Sequence, residues 1–117
     1  MKKLLLTILL AFGTPAWADP SVIETVNATE TNGVWRFDVT LSHPDTGWDH
    51  YADGWRVLAM DGTELGMRVL HHPHVDEQPF TRSLSGVILP PGATQVQIQA
   101  RCLVDGWHSE TKTVNLK

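Results

Sequence analysis

Polar and apolar residues alternate with period two along much of the chain. Trp35, Phe37, Val39 and Leu41 share one parity, and Arg36, Asp38, Thr40 and Ser42 take the other. Successive side chains of an extended backbone point to opposite faces, so the pattern predicts a half-buried strand from Val34 to Ser42. Val96, Ile98, Ala100, Cys102 and Val104 alternate with Gln95, Gln97, Gln99 and Arg101, which predicts the best-defined strand of the chain. Further strands are predicted over Trp55 to Met60, Leu65 to Leu70, Phe80 to Leu89 and Thr113 to Leu116, with a weaker opening strand from Val22 to Thr29. Asn32-Gly33, Asp61-Gly62 and Asp105-Gly106 supply turn residues that tolerate positive φ, and Pro90-Pro91-Gly92 interrupts the chain before the Gln-rich strand. No segment carries the periodicity of an amphipathic helix. About seven short strands predict an all-β fold, an immunoglobulin-like or fibronectin-III-like antiparallel β-sandwich.

The N-terminus follows different rules. Met1-Lys2-Lys3 is basic, Leu4 to Phe12 is almost wholly apolar, and Ala16-Trp17-Ala18 has the small-x-small form of a signal-peptidase site. Residues 1–18 therefore read as a secretory signal peptide cleaved after Ala18, too short to span a bilayer, and residues 19–117 as a single sandwich domain. The expected location is periplasmic or secreted, with no membrane insertion of the mature chain.

Charge narrows the partners. With Lys2 and Lys3 gone, seven basic residues face 13 acidic ones, a formal charge of −6. A nucleic-acid partner would need a basic patch, so it is excluded, whereas cations are attracted. Cys102 is the only cysteine. No internal disulfide can form, and the thiol is expected to be buried, metal-bound or reactive.

The candidate chemistry lies in the histidines. Three of the 6 fall in His71-His72-Pro73-His74, followed by Asp76 and Glu77. Pro73 keeps His72 extended, so His72 and His74 should point the same way as a two-nitrogen metal fragment. His71 continues the parity of Leu65, Met67 and Val69 and should pack inward or cap the core. A second set lies in the long connection Ser42 to Gly54, which holds His43 and His50 with Asp45, Asp49, Asp53, Trp48 and Tyr51. Long connections in compact domains often carry function. His108 follows the Asp105-Gly106 turn. Imidazole with thiolate suits copper, zinc or iron, although no methionine follows Cys102 as a blue-copper site would require. The aspartates recur every four residues, unlike the alternating ligands of an EF-hand loop. Trp48, Tyr51 and Trp107 are placed to stack on a sugar or peptide, while Trp55 is expected in the core. No hydrolase motif is present.

Two families are resembled. His43-Pro44, His50-Tyr51 and Trp55, with Cys102 followed by Asp105-Gly106-Trp107, look like the signatures of superoxide reductases, the desulfoferrodoxin-type iron domain. That resemblance implies an immunoglobulin-like fold and a ferrous ion held by histidines and a cysteine, carried over to His43, His50 and Cys102. This chain departs from the pattern in three ways. Asp105 stands where the family has a histidine, no histidine lies between Asp19 and Trp35, and the His43–His50 spacing is one residue longer. Leu41-Ser42-His43-Pro44, Thr46-Gly47, His72-Pro73, Pro79-Phe80 and Asp105-Gly106 are also similar to the Z subunit of the thiosulfate-oxidation carrier complex. That resemblance implies an exported, partner-binding sandwich without metal.

The leading expectation is an exported β-sandwich that binds iron or copper through His43, His50, His72, His74, Cys102 and His108, for metal handling or redox chemistry. The alternative is a non-catalytic module that docks another exported protein.

Overall fold

The structure, a computed structural model, describes residues 21–116. The expected signal peptide lies outside the described residues. Among those residues eight strands form: β1 Val22–Thr31, β2 Val34–Ser42, β3 Ala52–Leu58, β4 Glu64–Val69, β5 Phe80–Val87, β6 Gln95–Cys102, β7 Gly106–Trp107 and β8 Lys112–Asn115. They build two antiparallel sheets, one ordered β1-β2-β5 and the other β4-β3-β6-β7, with β8 also paired to β6. The protein is an all-β sandwich. No described helix is long and apolar enough to cross a membrane.

The alternating segments behave as their parity requires. Phe37, Val39 and Leu41 of β2 are buried to 1% exposure or less, as are Val96, Ile98, Ala100 and Cys102 of β6. These faces meet Trp55 and Val57 of β3 and Phe80 of β5 in one core. Burying each large apolar side chain contributes roughly 1.5–3 kcal/mol. The β1–β2 hairpin closes through Asn32 and Gly33, both at positive φ (53° and 81°), the turn whose twist suits a two-residue hairpin.

Three expectations are corrected. First, β3 begins at Ala52 rather than Trp55, so the long connection shrinks to residues 43–51. A register shift between Ala52 and Gly54 turns both Ala52 and Trp55 inward, which breaks the alternation that would have revealed the strand. Gly54 is also closely packed: a Cβ there would lie 2.8 Å from Met67 Cε, which would have to move, and 3.2 Å from the Arg68 carbonyl oxygen.

Second, β6 ends at Cys102. Val104 continues the apolar parity but is 59% exposed, because the chain turns through residues 103–105 and folds back as β7 against Arg101 and Cys102. Third, the parity through Val69 does not lead His71 inward. Val69 is exposed, Leu70 is the buried residue and donates its amide to the Asp53 carbonyl at 3.0 Å, and His71 faces solvent.

Candidate metal centre

The register of β3 on β6 assembles the site. Ala52 pairs with Cys102, and the Leu103 amide donates to the Tyr51 carbonyl at 2.9 Å. The end of the 43–51 connection is thereby fixed beside the end of β6. A short turn secures His50: its amide donates to the Gly47 carbonyl at 3.2 Å, and its carbonyl accepts from Thr46 at 3.0 Å. His43 sits just past β2, where the Asp45 amide donates to its carbonyl at 2.7 Å and tightens the chain into a three-residue turn.

Three side chains converge. One ligand atom each from His43, His50 and Cys102 lies within 4.8 Å of the others. His50 Nε2 is 3.9 Å from Cys102 Sγ, and the two imidazole rings meet edge to face with centroids 4.9 Å apart. His43 and Cys102 are buried and His50 is half-buried, so the group lies at the end of the sandwich with one flank toward solvent.

The polar accounting around the group is uneven in an informative way. His43 Nδ1 donates to Asp45 Oδ1 at 2.6 Å, while His43 Nε2 is buried with no hydrogen-bond partner. A buried lone pair left unmatched costs free energy and is rare unless a ligand uses it. Cys102 Sγ accepts the Asp105 amide at 3.4 Å and lies 3.5 Å from Asp105 Oδ2, to which the thiol donates. Burial pushes the Cys102 thiol up from its ordinary value, against the stabilising pull of the Asp105 and Val104 amides. A divalent cation would remove that penalty by holding the sulfur as thiolate. Two imidazoles and one thiolate form a donor set fit for a transition metal.

The remaining expected donors are placed elsewhere. His72 and His74 do share a side, with ring centroids 4.6 Å apart, but no described group of three or more donors includes them. His74 is buried, stacks on Phe80 at 3.9 Å, and accepts from Arg82 Nη2 at its Nε2 at 2.9 Å. A guanidinium has no acceptor, so that contact occupies the His74 Nε2 lone pair. Burial, then the Arg82 charge, hold the His74 imidazole below its ordinary value. His72 is exposed, and its Nδ1 contacts the Pro73 carbonyl at 3.2 Å. His108 accepts the Ser21 amide at Nε2 at 3.0 Å, and burial lowers its basicity as well.

The aromatic set divides too. Trp55 is wholly buried, Trp107 lies under Arg56 at 3.8 Å, and Trp48 is 68% exposed with Tyr51 at its edge. Sequence reasoning passed over Asp45, which it weighed only as a calcium ligand. The available signal was its position two residues after His43, close enough for a carboxylate to reach the ring.

No protein-family model matches the chain. A protein of Halomicrobium mukohataei named "Putative lipoprotein" is 39% identical over 79 residues, which is 68% of this chain and 38% of that relative. The chain thus spans well under half of the relative's length. Among solved structures, a hypothetical protein from Pyrococcus horikoshii superposes with a TM-score of 0.56 at 10% identity, over 86% of this chain and 93% of that one. A superoxide reductase in its oxidised state superposes with a TM-score of 0.53 at 13% identity, over 86% of this chain and 92% of that one. The likeness at these identities is one of fold.

Proposed function

We propose that this protein binds a transition metal ion, iron or copper, through His43, His50 and Cys102, and uses it for one-electron redox chemistry or metal handling outside the cytoplasm. The observation that carries this reading is the convergence of three donors from separate segments, one of them a buried imidazole nitrogen with no protein partner. Export is supported by the basic and apolar leader ending at Ala18 and by the name of the Halomicrobium relative. Iron with superoxide-reductase-like chemistry is the first activity to test, because the fold is shared with such an enzyme and the three donors lie on the segments that resemble its signatures. Asp105 against the sulfur is the chief difference, placing a carboxylate where that family has a histidine.

Untagged protein reconstituted anaerobically with ferrous, copper or zinc salts and then desalted should retain a stoichiometric amount of iron or copper. The iron-loaded, reduced form should consume superoxide. Retention of no metal by the wild type would overturn the proposal. Metal retained without superoxide consumption would keep the metal centre and reject the reductase reading.

A partner-docking role is the competing reading. An open groove lined by Gly47, Trp48 and residues 72–77, with Trp48 68% exposed, favours it. A partner that co-purifies equally with wild type and with a His43→Ala/Cys102→Ser double variant would support this role over the metal-dependent one.

A further inference from the structure

The two histidine-bearing segments are joined by one buried carboxylate. Asp45 Oδ1 accepts from His43 Nδ1 at 2.6 Å and from the Ala52 amide at 3.0 Å. Its Oδ2 accepts the His74 amide at 2.7 Å, with His74 Nδ1 farther off at 3.9 Å, beyond hydrogen-bond reach. The side chains of His43 and Asp45 are both fully buried. Taking a carboxylate out of water costs several kcal/mol unless donors surround it. The fold supplies those donors from three places: the His43 ring, the first residue of β3, which is paired to Cys102, and the backbone of the 71–74 segment.

We infer that Asp45 is the positioning residue of the metal centre: it fixes His43 as the Nδ1–H tautomer, so that Nε2 presents its lone pair to the ion. The inference rests on reading His43, His50 and Cys102 as a metal site. The unpartnered Nε2 is what that tautomer predicts, since the only proton on the neutral ring is already committed to Asp45. A carboxylate behind a ligating imidazole also strengthens it as a donor. The 71–74 segment then acts through its backbone: the His74 amide holds the carboxylate that holds His43. Gln78 completes the brace by accepting the His43 amide at 2.9 Å and donating to the His74 carbonyl at 2.8 Å.

Asp45→Asn tests the assignment. An amide cannot accept on both sides, so it either loses the His43 proton or turns an NH2 group toward the His74 amide. Cobalt(II) binding, measured by competition, should weaken about 10–100-fold, with displaced ligand-field bands and a retained thiolate charge-transfer band. In a His43→Ala background the same substitution should cause no further loss of affinity. Gln78→Ala, which removes the outer part of the brace without touching the ring, should lower the melting temperature and weaken cobalt binding less than Asp45→Asn does.

Nitrogen-15 NMR of the histidine rings in the wild type gives an answer that needs no variant: His43 should carry its proton on Nδ1. A His43 ring protonated on Nε2, or an Asp45→Asn protein with wild-type affinity and spectrum, would overturn the inference and leave the metal site standing. A wild type that binds no cobalt would overturn both.

Discussion

Two histidine-rich segments of one small sandwich hold their rings in opposite ways. Residues 71–74 are the denser in histidine, yet His74 spends its ring on Phe80 and Arg82, and His71 and His72 face solvent. The 43–51 connection has only two histidines, spaced seven residues apart in sequence, but it delivers both to a cysteine from another strand. The difference lies in what surrounds each ring. A histidine whose lone pair faces a guanidinium has that lone pair occupied, and the buried His74 Nδ1 is left only an unmatched proton. A ring whose Nδ1–H is held by a carboxylate and whose Nε2 meets nothing keeps an unoccupied lone pair. Crowding of ligand-type residues in sequence therefore does not by itself bring three donors together; the pairing of β3 with β6 does so for residues that lie far apart along the chain.

The largest effect should come from removing a ligand in the second region. Cys102→Ser replaces the buried sulfur with a smaller, harder donor. Its effect on iron or copper affinity should exceed the roughly 10–100-fold loss expected for an outer support. Metal content after desalting checks this, with the thiolate charge-transfer band as a second readout. A Cys102→Ser protein that retains iron normally would place the metal elsewhere and dissolve the contrast between the two segments.

The same operation on the first region should change stability and leave metal affinity alone. His74→Ala removes the stack on Phe80 and the acceptor for Arg82 but keeps the backbone amide that supports Asp45. A lost ring pair and a lost hydrogen bond to a charged group together suggest about 2–4 kcal/mol of destabilisation. Urea unfolding measures it, and cobalt affinity should stay within about threefold, below what even an outer support contributes. A large loss of affinity in His74→Ala would mean that its ring also serves the centre.

Acid should find the first region by itself. Burial and the Arg82 charge depress the folded-state basicity of His74, so the unfolded chain binds a proton that the folded one refuses. Stability is then fully present above the unfolded value of about 6.5 and falls as pH drops from there toward the lower folded value. His108 is depressed by burial in the same sense, so the wild-type slope carries both contributions. The His74→Ala protein should show a shallower decline between neutral and mildly acidic pH than the wild type. Equal slopes would remove His74 from the account.

How far the sequence reaches follows from these particulars. The β2 and β6 parities set the core-facing residues, because one sheet face of each strand is buried along its length. The turn at Asn32-Gly33 and the burial of Trp55 were legible for similarly local reasons. The start of β3 was hidden by a register shift, and the inward turn at Leu70 rather than His71 by the end of strand geometry after Val69. The convergence of His43, His50 and Cys102 depends on the pairing of Ala52 with Cys102, a contact between residues 50 apart in sequence that no periodicity encodes. The family-like motifs pointed to the same three residues. Asp45 stayed out of sight because its partners come from three separate parts of the chain.

The smallest expected effect is also the most discriminating. His72 is exposed and its polar contact is to the neighbouring Pro73 carbonyl, so His72→Ala should alter stability by no more than about 0.5 kcal/mol and leave metal content unchanged. One quantity should still move. The His72 ring lies 4.6 Å from His74, and its charge contributes to lowering the His74 basicity. Removing it should raise the His74 titration midpoint toward the ordinary histidine value, a shift read directly from its ring proton resonances. Loss of a bound metal equivalent in His72→Ala would show instead that the 71–74 segment ligates in its own right, and that the chain carries two centres rather than one centre and its brace.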